Sequence, residues 1–344
     1  MSIKSRIEDL PEGIENAEMK ELRQSMLRLQ KKYSQLKNDR LDLTEAVYQG
    51  AKDAFLTMGK IPPVLSPVVD KRKGKAEVAL IHATDWQGSK VTTSYNSEVM
   101  KKRVMQFGEK IRKLTNIQRA DHPVKEATVM FGGDMVEGLF NYPAQLWEID
   151  QSLFGQFTTV TDLLVEFVRF NLTTFEKVTV VAEWGNHGRI GSKRDDVPKS
   201  DNVDRMCYEM ARRILKGEKR LTWEDCPEDI QRVEIGNYRA LLMHGDEVGR
   251  AGFASPSAWQ AAGNRWKAGA YEWEFQDIFL GHYHRFAQEP MSDQKGNIYW
   301  TGSTESDNRY ARDSMAVSGT PTQRLHYVEP NSGRTTSIYQ VYLD

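Results

Sequence analysis

The sequence predicts an α/β domain, built on a mixed sheet or two packed sheets and preceded by a long helix. Three observations carry this. From residue 76 short apolar runs alternate with amphipathic stretches, and after residue 238 strand-like runs dominate. Ahead of both, the first 58 residues carry apolar positions at alternating spacings of three and four.

That N-terminal stripe runs through Met19, Leu22, Met26, Leu29, Tyr33, Leu36, Leu43 and Val47, interrupted by Arg40. Such a narrow seam predicts a coiled coil, and hence a homo-oligomer formed through residues 14–50, against the alternative of a helix folded back on its own domain. The segment "GKIPPVLSPVVDKRKGK", residues 59–75, has three prolines and a basic cluster and reads as a spacer. The divisions expected are therefore 1–58, 59–75 and a catalytic domain over 76–344. In that domain "AEVALIHAT" is a buried strand and Ser97–Gln118 a helix with Val104, Phe107, Ile111 and Leu114 on one face. "EATVMFGGD" and "KVTVVAEWGN" are the next strands, flanking a helix over 155–175, and another helix runs from Ser200 to Gly217. Five strands then follow: "YRALLMHGD", "DIFLGHYH", "NIYWTGS", "QRLHYV" and "SIYQVYL".

Composition narrows the function classes. A net charge of −1 over 344 residues excludes a uniformly basic nucleic-acid coat. Two cysteines outside any CxxC exclude a disulfide framework and argue against a thiolate zinc site. With no apolar run of membrane-spanning length and no signal-peptide core, the expectation is a cytoplasmic protein without membrane association.

The chemistry-bearing residues sit at strand ends. Asp85 follows "LIHAT", Asp134 follows "VMFGG", Asn186 follows "VVAEWG", His244 follows "ALLM", and His282 and His284 follow "IFLG". Carboxyl ends of strands in α/β sheets are where sites assemble. Any one of these residues has an ordinary structural explanation, as turn, cap or core residue. Their joint occurrence in order points to oxygen and imidazole donors for two divalent metals.

In order, the blocks read Asp85-Trp86-Gln87, Gly133-Asp134-Met135-Val136-Glu137, Gly185-Asn186-His187-Gly188, His244-Gly245-Asp246 and Gly281-His282-Tyr283-His284, with Gly302-Ser303 after them. This series resembles the calcineurin-like metallophosphoesterases, most of all their bacteriophage-type, DNA repair exonuclease-like members, over roughly residues 76 to 310. The resemblance implies a four-layer αββα sandwich of two mixed sheets. It also implies one metal held by Asp85, Gln87, Asp134 and His284, and a second held by Asp134, Asn186, His244 and His282. Two divalent ions are expected, manganese favoured and iron or zinc as alternatives. Such a pair would activate a shared water for attack on phosphorus, and His187 would protonate the departing alkoxide.

Two positions depart from the family pattern. Gln87 stands where a histidine ligand is usual, and Gly188 replaces the acid after the catalytic histidine, whose stand-in the sequence offers as Glu183, Asp195 or Asp196. Arg189, with Lys193 and Arg194 nearby, reads as a phosphate clamp or as a solvated loop residue. Trp259, Trp266, Tyr271 and Trp273, interleaved with Arg265 and Lys267, read as core packing or as a single-strand grip. The implied function is a phosphodiesterase acting on nucleic acid or nucleotides. The alternatives are a phosphomonoesterase with the same site, and a degenerate scaffold assembled through the coiled coil.

Overall fold

Among the described residues eleven strands form two sheets, one of six strands in the order β11-β10-β1-β2-β3-β4 and one of five in the order β5-β6-β7-β9-β8. These are β1 (Glu77–Ala83), β2 (Val124–Gly132), β3 (Lys177–Glu183), β4 (Leu221–Trp223), β5 (Gln231–Ile235), β6 (Tyr238–Met243), β7 (Asp277–Leu280), β8 (Ala287–Pro290), β9 (Asn297–Trp300), β10 (Thr322–Glu329) and β11 (Arg334–Tyr342). The structure, a computed structural model, describes residues 62–139, 143–190, 200–225, 228–248, 254–292, 295–308 and 319–344, with Asp42, Glu45 and 48–50. Tyr48–Asp344 is one unit and Met1–Val47 another. The expected coiled coil lies almost wholly outside the described residues.

Among the described residues four α-helices lie between the strands: α1 (Ser97–Gln118), α2 (Leu153–Thr174), α3 (Val203–Ile214) and α4 (Pro256–Arg265). Each begins where the sequence supplies an acceptor for the free first-turn amides. The side chains of Asn96, Ser152, Asn202 and Ser255 accept from the amides of Val99, Gly155, Asp204 and Ala258 respectively.

Both sheets are mixed. In the first, β1, β2 and β3 run parallel, pairing Ile81 with Val129 and Val129 with Val180, while β10 lies antiparallel to β1. In the second, β6, β7 and β9 run parallel and β5 and β8 antiparallel at the edges. Leu80, Met130 and Val181 of the first sheet pack against Val233, Tyr238, Ala240, Leu242, Phe279 and Tyr299 of the second. The helices cover the outer faces. Phe107 of α1 and Phe167 of α2 stack at 5.8 Å, with Trp86 and Phe131 edge-to-face beside them. On the other side Trp259 of α4 is fully buried among Met243, Ile278, Leu280 and Trp300. The result is the layered αββα arrangement, in which each buried Phe or Leu contributes on the order of 2 kcal/mol.

Residues 62–76 have no regular structure but are tied to this unit. Asp70 is buried, its amide donates to Glu176 at 2.9 Å, and Arg220 donates to the carbonyl of Val64 at 3.1 Å. Among the described residues no helix is long and apolar enough to cross a membrane.

Candidate metal centre

Parallel pairing places successive loops at one edge of each sheet, and hydrogen bonds lock those loops together. Asp85 N–H donates to Gly133 at 2.9 Å and Gly281 N–H to His244 at 2.8 Å, each tying the exits of neighbouring strands. The two sheets are joined at the same place. Ser303 Oγ donates to the Asp85 carbonyl at 2.6 Å, and the His282 amide donates to the Asp85 carboxylate at 3.0 Å.

These loops turn sharply. Asp85, Gln87, Asp134, His282 and His284 all adopt left-handed backbone, with φ between 49° and 63°. Residues with a Cβ seldom take that conformation, and where they do the surrounding structure enforces it, commonly at functional sites. Here it swings the side chains of one loop after another toward a common point. Between the second and third loops the backbones nearly touch, since a Cβ on Gly185 would lie 2.0 Å from Asp134 Oδ1. Only glycine fits there.

The candidate ligands fall into two donor groups that share Asp134. In one, His284 Nε2 is 3.3 Å from Asp85 Oδ1 and 3.3 Å from the Gln87 amide nitrogen, which is itself 3.5 Å from Asp134 Oδ2. In the other, His244 Nε2 is 3.0 Å from Asp134 Oδ2, 3.1 Å from Asn186 Oδ1 and 3.2 Å from His282 Nδ1. The ligand atoms of Asp134, His244 and His282 all lie within 4.8 Å of one another. All seven predicted metal-ligating residues are thus brought together. His244 bonds the Gly132 carbonyl at 2.8 Å through Nδ1, which fixes the tautomer and leaves Nε2 for the site.

The donor set fits divalent cations. It combines carboxylate, amide oxygen and imidazole without thiolate, which suits manganese, iron or zinc. Gln87 Oε1 is buried without a hydrogen-bond partner, while its nitrogen points at the other donors. Half a turn of the amide exchanges the two atoms and presents the oxygen as a ligand.

Electrostatics agree. Burial by itself disfavours charge on these groups, but the opposite charges outweigh it. His244 is pushed well above the ordinary histidine range by Asp134, and Asp134 is driven far below the carboxylate range by His244 and His187. His284, despite its burial, is raised to about 10 through its bonds to Asp85 and Glu305. His282 goes the other way, to about 4, through burial and the neighbouring His244 charge. Cations entering here must therefore expel protons from His244 and His284.

No family model and no curated protein matches this chain. Several solved structures are similar to it at low level. Vps29 of Entamoeba histolytica, complexed with zinc, shares 10% identity at a TM-score of 0.34, over 77% of this chain and 99% of that one. YfcE, a phosphoesterase from E. coli, shares 14% at a TM-score of 0.33, over 77% of this chain and 100% of its own. SoxB, a sulfate thiohydrolase of Thermus thermophilus, shares 9% at 0.34, over 79% of this chain and 57% of that one. Likenesses of this size say nothing of substrate or reaction, and the geometry has to carry those.

His187 stands at the edge of the shared carboxylate. Its amide donates to Asp134 Oδ1 at 2.7 Å, and its Nε2 is 3.9 Å from Asp134 Oδ2. Its carboxylate neighbour is Glu137, whose Oε2 is 3.2 Å from Nδ1, while the Glu137 main-chain carbonyl bonds the same nitrogen at 3.1 Å. Of the three stand-ins the sequence offers, Glu183 is engaged elsewhere and accepts from Gln231 and the Trp184 amide. Asp195 and Asp196, with Lys193 and Arg194, lie outside the described residues. Burial opposes the His187 charge, yet Asp134 and Glu137 raise its pKa to about 9.

The glycine at 188 has a steric cause. A Cβ there would lie 2.3 Å from Asn202 Oδ1, because the loop is pressed onto the start of α3 and the Gly188 carbonyl accepts from Val203. That helix returns an acid of its own. Asp204 accepts from the amides of Met135, Val136 and Gly185 at 3.0 to 3.1 Å, pinning the second and third loops to each other. Glu305 does similar service for His284, at 3.1 Å from Nδ1. Sequence reasoning missed both; Asp204 left a trace only as an acid in the first turn after the Asn202 cap.

Arg189 forms an ion pair at 2.5 Å with Asp246, two residues after His244, in which neither side chain is more than 11% exposed. Among the aromatic residues, Trp259 is core, and Trp266, Tyr271 and Trp273 are half-buried against the same cluster. Arg232 lies over the Tyr271 and Trp273 rings and Arg239 over Trp273.

Proposed function

We propose that this chain is a metal-dependent phosphoesterase, a phosphodiesterase acting on nucleic acid or nucleotides. The observation that carries the reading is the position of Asp134, one buried carboxylate shared by two donor groups, with His187 beside it. In this reading Asp85, Gln87, Asp134 and His284 hold one divalent cation, and Asp134, Asn186, His244 and His282 hold another, manganese being favoured at the oxygen-richer position. Two such ions would supply positive charge for the phosphoryl oxygens and would lower the pKa of a bound water.

The protein groups divide the remaining work. Asp85 and Asp134 supply the negative charge that gathers the cations. Glu137 would accept the hydrogen bond of His187 Nδ1–H, which orients Nε2–H toward the site as the donor to the departing oxygen. Arg189 would meet the substrate as a cation already paired with Asp246, which suits a singly charged diester better than a doubly charged monoester. Copies assemble through residues 14–50.

Metal-stripped protein reloaded with Mn²⁺, Fe²⁺ or Zn²⁺ should hydrolyse bis-p-nitrophenyl phosphate faster than p-nitrophenyl phosphate. Single-stranded DNA, duplex DNA, RNA and cyclic nucleotides then define the substrate. Faster monoester cleavage would transfer the reading to a phosphomonoesterase. Two bound metals with no hydrolysis of any ester would leave the scaffold reading.

A further inference from the structure

One buried cation belongs neither to the ligand set nor to the substrate path. Lys90 follows the first loop, with its amide bonded to the Gln87 carbonyl at 2.9 Å and its side chain only 3% exposed. Its ammonium lies 3.1 Å from Glu137 Oε1 and 2.7 Å from Glu148 Oε2. Glu137 is itself 1% exposed, and its other oxygen lies 3.2 Å from His187 Nδ1, which also bonds the Glu137 main-chain carbonyl at 3.1 Å. The two loops also pair directly, since the Glu137 amide donates to Gly88 at 2.9 Å.

A carboxylate as buried as Glu137 is costly to keep ionised unless a cation meets it. Protonated or rotated, it no longer offers a charged acceptor to the imidazole. Lys90 meets one oxygen and so fixes which way the other points. Burial disfavours the ammonium, but Glu137, Glu148 and Glu305 together raise its pKa, so it stays charged. Buried ion pairs often add little stability over apolar packing, so a positional role explains why this one is kept.

We propose that Lys90 is a positioning residue for His187, acting through Glu137. The inference rests on His187 being the proton donor proposed above, but its test is separable from that reading. In metal-free protein with ¹⁵N-labelled histidine, the His187 Nδ1–H resonance, assigned by its disappearance in His187→Ala, should be sheltered from exchange. Lys90→Met should release it to exchange and lower kcat of the metal-loaded enzyme about 10–100-fold, with KM nearly constant, as is usual for outer-shell partners. The double variant Lys90→Met/Glu137→Gln should be no slower than Glu137→Gln alone. If Lys90→Met does not fold, Lys90→Met/Glu148→Gln, which removes one charge of each sign, should show the same loss of protection. An unchanged resonance in either Lys90 variant overturns the inference, as does a double variant whose loss is the product of the single ones. If the native protein hydrolyses no ester, the functional reading fails while the resonance still decides the role of Lys90.

Discussion

Glu137 Oε2 lies 3.2 Å from His187 Nδ1, so the acid that closes the second loop grips the histidine of the third. The contact spans 50 residues of chain and is made at the edge of the shared Asp134 carboxylate. His187→Ala should retain bound metal and lose turnover by roughly two to four orders of magnitude. Glu137→Gln should lose about 10–100-fold, again with metal retained. Metal analysis beside steady-state kinetics separates these outcomes from loss of a ligand; depletion of metal in His187→Ala would make that residue a ligand instead.

Asp134 is the one side chain common to both donor groups, and its carboxylate also accepts the His187 amide. Asp134→Ala should therefore abolish hydrolysis and strip both metals, because the charge that offsets their mutual repulsion is gone. Elemental analysis after gel filtration gives the answer. Two ions retained tightly in that variant would refute a shared ligand.

Much of this centre was readable in the chain because ligands at strand ends are local facts. An apolar run and then Asp or His, with a small residue between in all but His244, mark Asp85, Asp134, His244 and His282 without knowledge of the fold. The supporting groups are not local. Glu305 reaches His284 from beyond the next two strands, and Asp204 meets the second and third loops only once α3 has docked. Gly188 was visible as a departure, but its cause, the Asn202 side chain 2.3 Å from any Cβ, belongs to packing. The unanticipated strands β4, β5 and β8 are short edge strands, of three to five residues, with too little apolar pattern to announce themselves.

Asp204 gives a pH signature. Burial and the nearby Asp134 charge raise its pKa to about 6, against the three amides that favour the anion. An unfolded Asp titrates near ~4, so folded metal-free protein holds an extra proton between those values. The corresponding stability is present below about pH 4 and is lost as pH rises through about 6. Asp204→Asn should remove that slope and also destabilise by about 1–3 kcal/mol, since an amide cannot accept on both sides. Urea unfolding at pH 4.5 and 7 compares the two proteins; equal slopes would show that Asp204 keeps an ordinary pKa.

The N-terminal stripe, outside the described residues, makes a prediction about assembly. A helix over residues 14–50 would be about 55 Å long at ~1.5 Å per residue and would expose its Met and Leu positions if unpaired. Deletion of residues 1–60 should give a monomer that still hydrolyses small esters, from an oligomeric full-length protein. Light scattering that shows a full-length monomer ends this proposal.

Gln87 sets an inequality between the two metal positions. Its amide faces His284 Nε2 at 3.3 Å, where a histidine would place a strong nitrogen donor. A neutral oxygen binds transition metals more weakly than imidazole, so the ion at this position should be held more loosely than the one between His244, His282 and Asn186. That looseness favours harder manganese, and purified protein should keep one metal and gain activity on adding Mn²⁺ at roughly the millimolar level, the order of the weakest protein sites. Occupancy must also expel the proton that Asp85 and Glu305 hold on His284, so the affinity of this position should rise with pH through the neutral range. Gln87→His should tighten it and reduce the need for added metal. Calorimetric titration of metal-free protein should resolve two unequal sites in the native chain and more nearly equal ones in the variant. Two equally tight native sites would mean that a donor other than Gln87 completes the first position.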